Sequence, residues 1–105
     1  MAKKLVPLPK LLKKAQDAIN RYIRERDKDK GCISCGGSVD HAGHYFPQGS
    51  HSALRFNEAN INGQCVRCNL YLSGNLPHYR IGLVERIGEE AVKELEDAAQ
   101  RNKLK

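Results

Sequence analysis

Apolar residues recur at helical spacing over three segments of the chain. In the first segment, 10–26, they are Leu11, Leu12, Ala15, Ala18, Ile19, Tyr22 and Ile23, and basic residues lie on the opposite side. This spacing predicts an amphipathic helix within a basic segment that covers 10–30. A second helix is predicted from Pro77 to Gly88. A third is predicted over 89–102, where acidic residues at the start and basic residues at the end suit the helix dipole.

Between these helices the apolar pattern is shorter and less regular. A strand is predicted over 40–46. The segment 51–63 is polar and rich in asparagine, so we expect a loop with Leu54 and Phe56 as its apolar anchors. A short helix is predicted over 65–72. The pattern as a whole predicts an α+β fold.

The chain of 105 residues is short enough to form a single domain. Residues 1–9 are predicted to be a flexible lead-in, because Pro7 and Pro9 interrupt an early helix. The basic helix over 10–30 follows. A central core is expected over 32–75, and C-terminal helices over 76–105. Tyr22, Leu70 and Leu83 are further candidates for the apolar core.

Two cysteine pairs enclose the central core. The pairs are Cys32 with Cys35 and Cys65 with Cys68, and twenty-nine residues separate the inner two cysteines. Each pair can place two thiolates on one edge of a tetrahedron, which is the arrangement of a structural zinc site. The chain shows no secretory signal, so metal binding is favoured over disulfide bonds. The sequence therefore predicts that all four cysteines hold one Zn²⁺.

The charge of the chain is concentrated at its N-terminal end. Residues 1–30 contain ten Lys and Arg against four acidic residues, while 31–105 contain eight of each. A basic segment beside a metal site favours a polyanionic partner such as DNA, and its alternative interpretation is a solvated helix face. The predicted DNA contacts are Arg21, Arg24, Lys28, Arg55 and Arg67. No apolar run is long enough to span a membrane, so no membrane partner is expected.

Histidine and asparagine residues recur between and beside the cysteine pairs. His44 begins a His-x-x-Pro sequence that ends at Pro47, Asn60 lies five residues before Cys65, and Asn69 directly follows the second pair. These positions resemble the motif of the HNH, or ββα-metal, nucleases. The resemblance implies a small, zinc-stapled ββα-metal core, similar to a treble clef, that hydrolyses phosphodiester bonds.

A closer resemblance covers most of the chain. The matching stretches are Tyr-Ile-Arg-Glu-Arg-Asp at 22–27, Cys-Ile-Ser-Cys at 32–35, His-Ala-Gly-His-Tyr at 41–45, Ala-Leu-Arg-Phe-Asn-Glu at 53–58, Leu-Ser-Gly-Asn at 72–75 and Tyr-Arg-Ile-Gly-Leu at 79–83. They resemble the NinG (Rap) recombination endonucleases of lambdoid phages. This resemblance implies a phage-type protein, located in the cytoplasm of a bacterial host, that cleaves branched DNA such as Holliday junctions. A homodimer is an expectation from function alone, because symmetric cleavage of a four-way junction requires two active sites.

The chemistry of phosphodiester hydrolysis assigns roles to these residues. Neutral histidine can accept a proton from water at physiological pH, so His44 is the predicted general base. Asn69 is the predicted ligand of a catalytic Mg²⁺ or Mn²⁺, which keeps several waters and needs few protein ligands. Asn60 is predicted to orient His44 or its loop by hydrogen bonding.

The second ligand of the catalytic ion is open between two residues. His41 is the first choice, because it precedes His44 by three residues, as in junction-cleaving relatives. Asp40 is the alternative, because a carboxylate suits Mg²⁺ better. If Asp40 and His41 formed the motif pair, His41 would be the base and His44 would contact phosphate. Gly43 stands directly before His44, where the superfamily often has aspartate.

Three classes of function follow from the sequence. The first is a metal-dependent, structure-selective DNA endonuclease. The second is a non-catalytic zinc module that binds branched or duplex DNA. The third is a structural zinc domain that binds protein. The first class is the leading hypothesis, and the second is its alternative.

Overall fold

The computed structural model describes residues 7–101, which form a mixed α+β fold. The regular elements are helix α1 (Leu8–Asp27), strand β1 (His41–His44), strand β2 (Ile61–Gln64), helix α2 (Leu76–Ile87) and helix α3 (Glu89–Arg101). Short 3₁₀ helices span Ser52–Leu54 and Glu58–Asn60, and a π-helical turn spans Arg67–Tyr71. The predicted α+β class is therefore confirmed.

Helix α1 begins earlier and ends earlier than the predicted basic helix over 10–30. Pro7 lies at the N-cap and Pro9 lies in the first turn, where a missing N–H costs nothing because no intrahelical acceptor faces it. The predicted lead-in is therefore wrong for residues 8 and 9, and 1–6 lie outside the described residues. The helix ends at Asp27 because the chain turns through Gly31, whose φ is +86°. A Cβ at Gly31 would lie only 2.8 Å from the carbonyl oxygen of Gly36.

The predicted apolar side of α1 is only partly buried. Ile23 is fully buried, whereas Leu11 and Tyr22 are 47% and 52% exposed. Two polar residues of the helix, Gln16 and Asp27, are buried instead. Tyr22 was therefore wrong as a core residue, because α1 packs on the rest of the fold through a polar stripe as well as an apolar one.

Strands β1 and β2 form an antiparallel pair. His41 is opposite Gln64, and His44 is opposite Ile61. Strand β1 is shorter than the predicted 40–46, and β2 lies in and just after the segment 51–63 that was expected to be a loop. All four residues of β2 are buried, although its sequence Ile-Asn-Gly-Gln is mostly polar. The sequence pattern missed this strand because its polar groups form hydrogen bonds inside the fold rather than in water.

The main apolar core lies where α2 and α3 pack together. Its buried members are Ile33, Leu54, Tyr79, Leu83, Val92, Leu95 and Ala99. Leu83 and Leu54 are buried as predicted, but Phe56 is 38% exposed and Leu70 is 61% exposed. The predicted helix over 65–72 is a single helical residue, Val66, followed by the π-helical turn. On this wider turn the Leu70 side chain faces outward.

A buried carboxylate joins α1 to β2 and α2. Asp27 is fully buried and accepts hydrogen bonds from Arg26 Nε at 2.7 Å, Arg26 Nη2 at 2.9 Å and the Gly63 amide at 2.8 Å. Arg86 Nη1 of α2 lies 3.3 Å from Asp27 Oδ2, without hydrogen-bond geometry. Burial opposes the ionisation of Asp27, but its hydrogen bonds with Arg26 and Gly63 outweigh burial and lower the pKa of this carboxyl. The ionised carboxylate therefore fixes the C-terminal end of α1 against the hairpin.

We expect Asp27→Ala to lower the free energy of unfolding by about 3 kcal/mol, because it leaves buried arginine and amide groups without their anion. The measurement is urea unfolding of the zinc-loaded protein. Asp17→Ala is the matched control, because Asp17 lies on the same helix in an exposed ion pair with Lys13 and should change stability by less than about 0.5 kcal/mol. Equal effects of the two substitutions would contradict this role of Asp27.

Candidate metal centre and active site

The four cysteines converge at one point between the hairpin and the turn that follows α1. Cys32 and Cys35 lie in that turn, and Cys65 and Cys68 lie just after β2. None of the four forms a disulfide bond, and their Sγ atoms all lie within 4.8 Å of one another. The Sγ atoms of Cys35 and Cys65 are 3.7 Å apart, close to the edge of about 3.8 Å that tetrahedral Zn–S bonds of about 2.3 Å require. The cluster could therefore hold the predicted structural zinc.

Backbone and side-chain N–H groups surround the sulfur atoms. The amides of Gly37 and Cys68 point to Cys35 Sγ and Cys65 Sγ, each at 3.4 Å. At Cys32 burial would raise the pKa, but hydrogen bonds from backbone amides outweigh it and lower the pKa to about 7. Burial raises the pKa of Cys68 to about 12, so this thiol needs a nearby cation to ionise at neutral pH.

The ring of His44 is held in one orientation at the end of β1. Its Nε2 lies 3.0 Å from the carbonyl oxygen of Arg55. A carbonyl oxygen only accepts hydrogen bonds, so Nε2 carries the ring proton and Nδ1 keeps a free lone pair. Burial lowers the pKa of His44, and it outweighs the hydrogen bond to Arg55, which raises the pKa. The ring is therefore neutral at physiological pH and can accept a proton at Nδ1.

His44 and Asn69 face the same shallow surface depression. The depression has a volume of roughly 370 Å³, and its lining residues are Gln16 and Asn20 of α1, Ala42 and His44 of β1, and Pro47, Gln48, Asn69, Ser73 and Gly74. A larger depression of about 570 Å³ lies between the first cysteine pair and α2, but it contains neither residue. The smaller depression is the candidate active site, because it brings His44, a proton acceptor, to the same surface as Asn69.

His41 lies next to Asn69 in the structure, but it projects from the face of β1 opposite to His44. Asn69 Nδ2 lies 3.1 Å from His41 Nδ1. His41 and His44 are three residues apart on β1, so their side chains leave opposite faces. Asn69 thus touches His41 on one side and lines the depression with His44 on the other. Asp40 is exposed, and its carboxylate accepts a hydrogen bond from Ser38 Oγ at 2.8 Å.

Asn60 fixes the loop behind His44 and is too deeply buried to reach the depression. Its Oδ1 accepts a hydrogen bond from the Phe46 amide at 2.9 Å. Its Nδ2 donates to the carbonyl oxygens of Phe46 at 3.0 Å and Leu54 at 3.2 Å. Since Leu54 precedes the residue whose carbonyl orients His44, Asn60 acts through that loop. The Asn60 side chain therefore contacts the backbone of the loop, and its orienting role stays a prediction.

The predicted DNA contacts differ in their accessibility. Arg21, Lys28 and Arg67 are exposed, and Arg24 is half-buried one turn beyond Asn20. Arg55 is tied to α1, because its Nε donates to Gln16 Oε1 at 3.0 Å. The guanidinium of Arg55 is therefore already hydrogen-bonded within the fold.

Sequence reasoning missed several polar residues of the site. Gln16 and Asn20 line the depression, but the sequence pattern of their helix indicated only its apolar and basic positions. Gln64 is fully buried next to Cys65. The sequence signal for Gln64 was its position directly before Cys65, a predicted metal ligand. His51 is buried beside Phe46, with ring centroids 5.1 Å apart.

The family model described as Bacteriophage Lambda NinG protein matches residues 2–105. The chain belongs to the NinG family. It is 49% identical to Protein ninG of Escherichia phage lambda, an alignment that covers 94% of this chain and 50% of the relative. It is 48% identical to Protein ninG of Salmonella phage P22, over 94% of this chain and 50% of that relative. The predicted family is thereby confirmed.

The NinG chain described here spans about half the length of the curated relatives it matches. Another of them is Protein ninG of Escherichia phage 933W, at 48% identity over 94% of this chain and 51% of the relative. No solved structure matches the chain. Over residues 7–101, no helix is both long and apolar enough to cross a lipid bilayer.

We expect removal of zinc to unfold this NinG chain, because metal-binding energy at such sites is largely folding energy and the apolar core is small. Cys65→Ser should behave like treatment with a chelator. The measurement is helical circular dichroism during a thermal melt, with zinc content determined on the same samples. A metal-free protein that kept a cooperative melt would contradict this expectation.

We expect His44 to titrate below the ordinary histidine pKa of about 6.5, because burial disfavours its charged form. The unfolded ring then binds a proton more readily than the folded one, so stability should fall as pH drops below about 6.5. The measurement is a ¹H–¹⁵N NMR titration of the ring, which also reports which nitrogen carries the proton. A pKa at or above 6.5, or a proton on Nδ1, would contradict the assigned orientation.

Proposed function

We propose that this NinG chain is an HNH-type, metal-dependent endonuclease domain that hydrolyses phosphodiester bonds in branched DNA. One observation carries the proposal. His44 has a neutral ring, a hydrogen-bonded Nε2 and a free Nδ1, and it opens onto the same depression as Asn69. A general base close to an asparagine that can hold a cation is the minimal equipment for metal-assisted attack of water on a phosphate.

The order of the elements supports the HNH assignment. A strand with His44 at its end pairs with β2, and the helical turn that carries Asn69 follows β2 after one cysteine pair. This is the strand–strand–helix order that the ββα-metal resemblance implies. The cysteine cluster closes the unit, because it joins the turn before β1 to the turn after β2. The ββα-metal identity of the fold is part of the proposal.

The donor set near Asn69 suits a divalent cation. Asn69 Nδ2 faces His41, which leaves the Asn69 carbonyl oxygen free for an ion. His41 and Asn69 would hold Mg²⁺ or Mn²⁺, with water in the remaining positions. Such an ion supplies stabilisation of the charge that develops on the phosphate and the leaving oxygen. The Asp40 carboxylate accepts a hydrogen bond from Ser38 and is therefore less suited to bind the ion.

The protein's own residues would handle the proton and the substrate. His44 Nδ1 would accept a proton from the attacking water, and the Arg55 carbonyl would keep the ring aligned as its charge rises. Asn60 would hold the loop that supplies this carbonyl. Asn20 lies along the depression, and Arg24 lies one turn further along the same stripe of α1. A DNA backbone that followed α1 would therefore pass from a basic region into the site.

The proposal of a branched substrate rests on the family resemblance, because no contact in the site indicates it. A Holliday junction is the proposed substrate, and symmetric cleavage of it would need two active sites, hence a homodimer. The net charge of +6 is consistent with a polyanionic partner. Binding of branched or duplex DNA without cleavage is the alternative that the test must separate.

We expect His44→Ala and Asn69→Ala to impair cleavage in different ways. Loss of the general base should slow single-turnover cleavage of a labelled four-way junction by about 10² to 10⁴. Asn69→Ala should weaken the ion instead, so part of its defect should recover at high Mn²⁺. His78→Ala is the matched control, because His78 is exposed and bonds only to Asn75 among the described residues.

Zinc content and melting temperature should remain near wild type in all three variants. If the protein binds the junction but does not cut it at any metal concentration, it is a DNA-binding module and not a nuclease. If His44→Ala cleaved normally while His41→Ala were inactive, the base would be His41. If both cleaved normally, the nuclease proposal would be wrong.

A further inference from the structure

Gln64 is a buried polar residue that none of the roles above uses. It is fully buried in β2, opposite His41 in the antiparallel pair. Opposed residues project from the same face of a two-stranded sheet, and Gly43 lies two residues further along that face. Gln64, His41 and Gly43 therefore share one side of the hairpin.

The amide group of Gln64 is fixed in one orientation. Its Nε2 donates to Ser34 Oγ at 2.9 Å and to the carbonyl oxygen of Gly74 at 2.8 Å, so both N–H groups are used. A flipped amide would place its oxygen against the Gly74 carbonyl, which would repel it. Oε1 must therefore point the other way, and within residues 7–101 it has no hydrogen-bond partner. A buried carbonyl left without a partner is destabilising, which calls for a reason.

The unpaired oxygen points at the space beside Gly43. A Cβ placed at Gly43 would overlap Gln64 Oε1 and would lie 3.0 Å from Asn69 Oδ1. Two carbonyl oxygens, from Gln64 and Asn69, therefore meet where residue 43 has no side chain. The nitrogen of Asn69 is turned away from this space, toward His41. Converging carbonyl oxygens with no donor between them suit a cation.

We propose that the side-chain oxygen of Gln64 is an inner ligand of the divalent cation that Asn69 holds. The inference rests on the proposed function, in that it takes this cation to be the catalytic one. It adds a second oxygen donor to Asn69, while His41 supplies a nitrogen. Two oxygen ligands favour hard ions such as Mg²⁺ and Mn²⁺ over zinc at this site. Gly43 is required because any side chain there would displace the Gln64 oxygen.

The test is a Mn²⁺ titration of the zinc-loaded chain without DNA. Electron paramagnetic resonance measures free Mn²⁺, and paramagnetic broadening of the His41 ring signals locates the bound ion. Gln64→Met keeps an unbranched side chain of similar length but removes the oxygen, so it should weaken binding by at least about tenfold. Gln100→Met is the matched control, because it makes the same substitution at an exposed position of α3 that contacts no part of the site. It should bind Mn²⁺ as wild type does.

Zinc content and melting temperature show whether Gln64→Met is folded. If it is not, Gln64→Glu decides, because a carboxylate at this position should make Mn²⁺ raise the melting temperature by more than it does in wild type. Wild-type affinity in Gln64→Met, an equal loss in Gln100→Met, or no Mn²⁺ signal near His41 in the wild type would each overturn the proposal. In the last case a buried water would be the partner of Oε1.

Cleavage measured on the same samples separates the two proposals. If binding of Mn²⁺ depends on Gln64 but no junction is cut, the cation site stands and the nuclease proposal fails. If the junction is cut and Gln64→Met binds Mn²⁺ normally, the nuclease proposal stands and Gln64 is not a ligand.

Discussion

The ionised carboxylate of Asp27 determines how the long helix α1 sits on the rest of the fold. It receives hydrogen bonds from Arg26 and from the Gly63 amide of β2, and it attracts Arg86 of α2. Few apolar contacts hold α1, so this polar junction sets its position. That position brings Asn20 alongside His44 in the candidate active site. A helix docked through ordinary apolar packing could slide, whereas directed hydrogen bonds from the Gly63 amide to Asp27 and from Arg26 to the Ile61 carbonyl fix its register on β2.

Buried amide side chains organise the hairpin in the same way. Asn60 fastens the loop that orients His44, and Asn62 Nδ2 donates to the Tyr79 hydroxyl at 3.1 Å. Gln64 uses both N–H groups and leaves its oxygen unpaired toward Gly43. Since buried polar groups are costly unless paired, a strand built this way has few alternative arrangements. Rigid placement of polar groups is what a metal-dependent reaction needs.

The cysteine cluster complements this polar framework. The main apolar core lies between α2 and α3 and meets β1 through Tyr79, whose hydroxyl donates to the Gly43 carbonyl at 2.7 Å. It includes no residue of the turn Arg67–Tyr71, so the link between β1 and that turn must come from elsewhere. Sulfur atoms contributed from both sides of the hairpin could supply that link through one ion. The cluster therefore acts at the C-terminal end of β2, next to the Gly63 amide that donates to Asp27.

The sequence alone determined the α+β class, the four clustered cysteines, the C-terminal helices and the family, because these depend on spacing and on residue type. It did not predict β2, since a strand of mostly polar residues is recognisable only when its hydrogen-bond partners are known. It also misplaced Tyr22, because the packing of α1 depends on Asp27. The orientation of the His44 ring and the opposite faces of His41 and His44 required the strand register. The unpaired oxygen of Gln64 was decided by tertiary structure alone, because Ser34 and Gly74 fix it from distant parts of the chain.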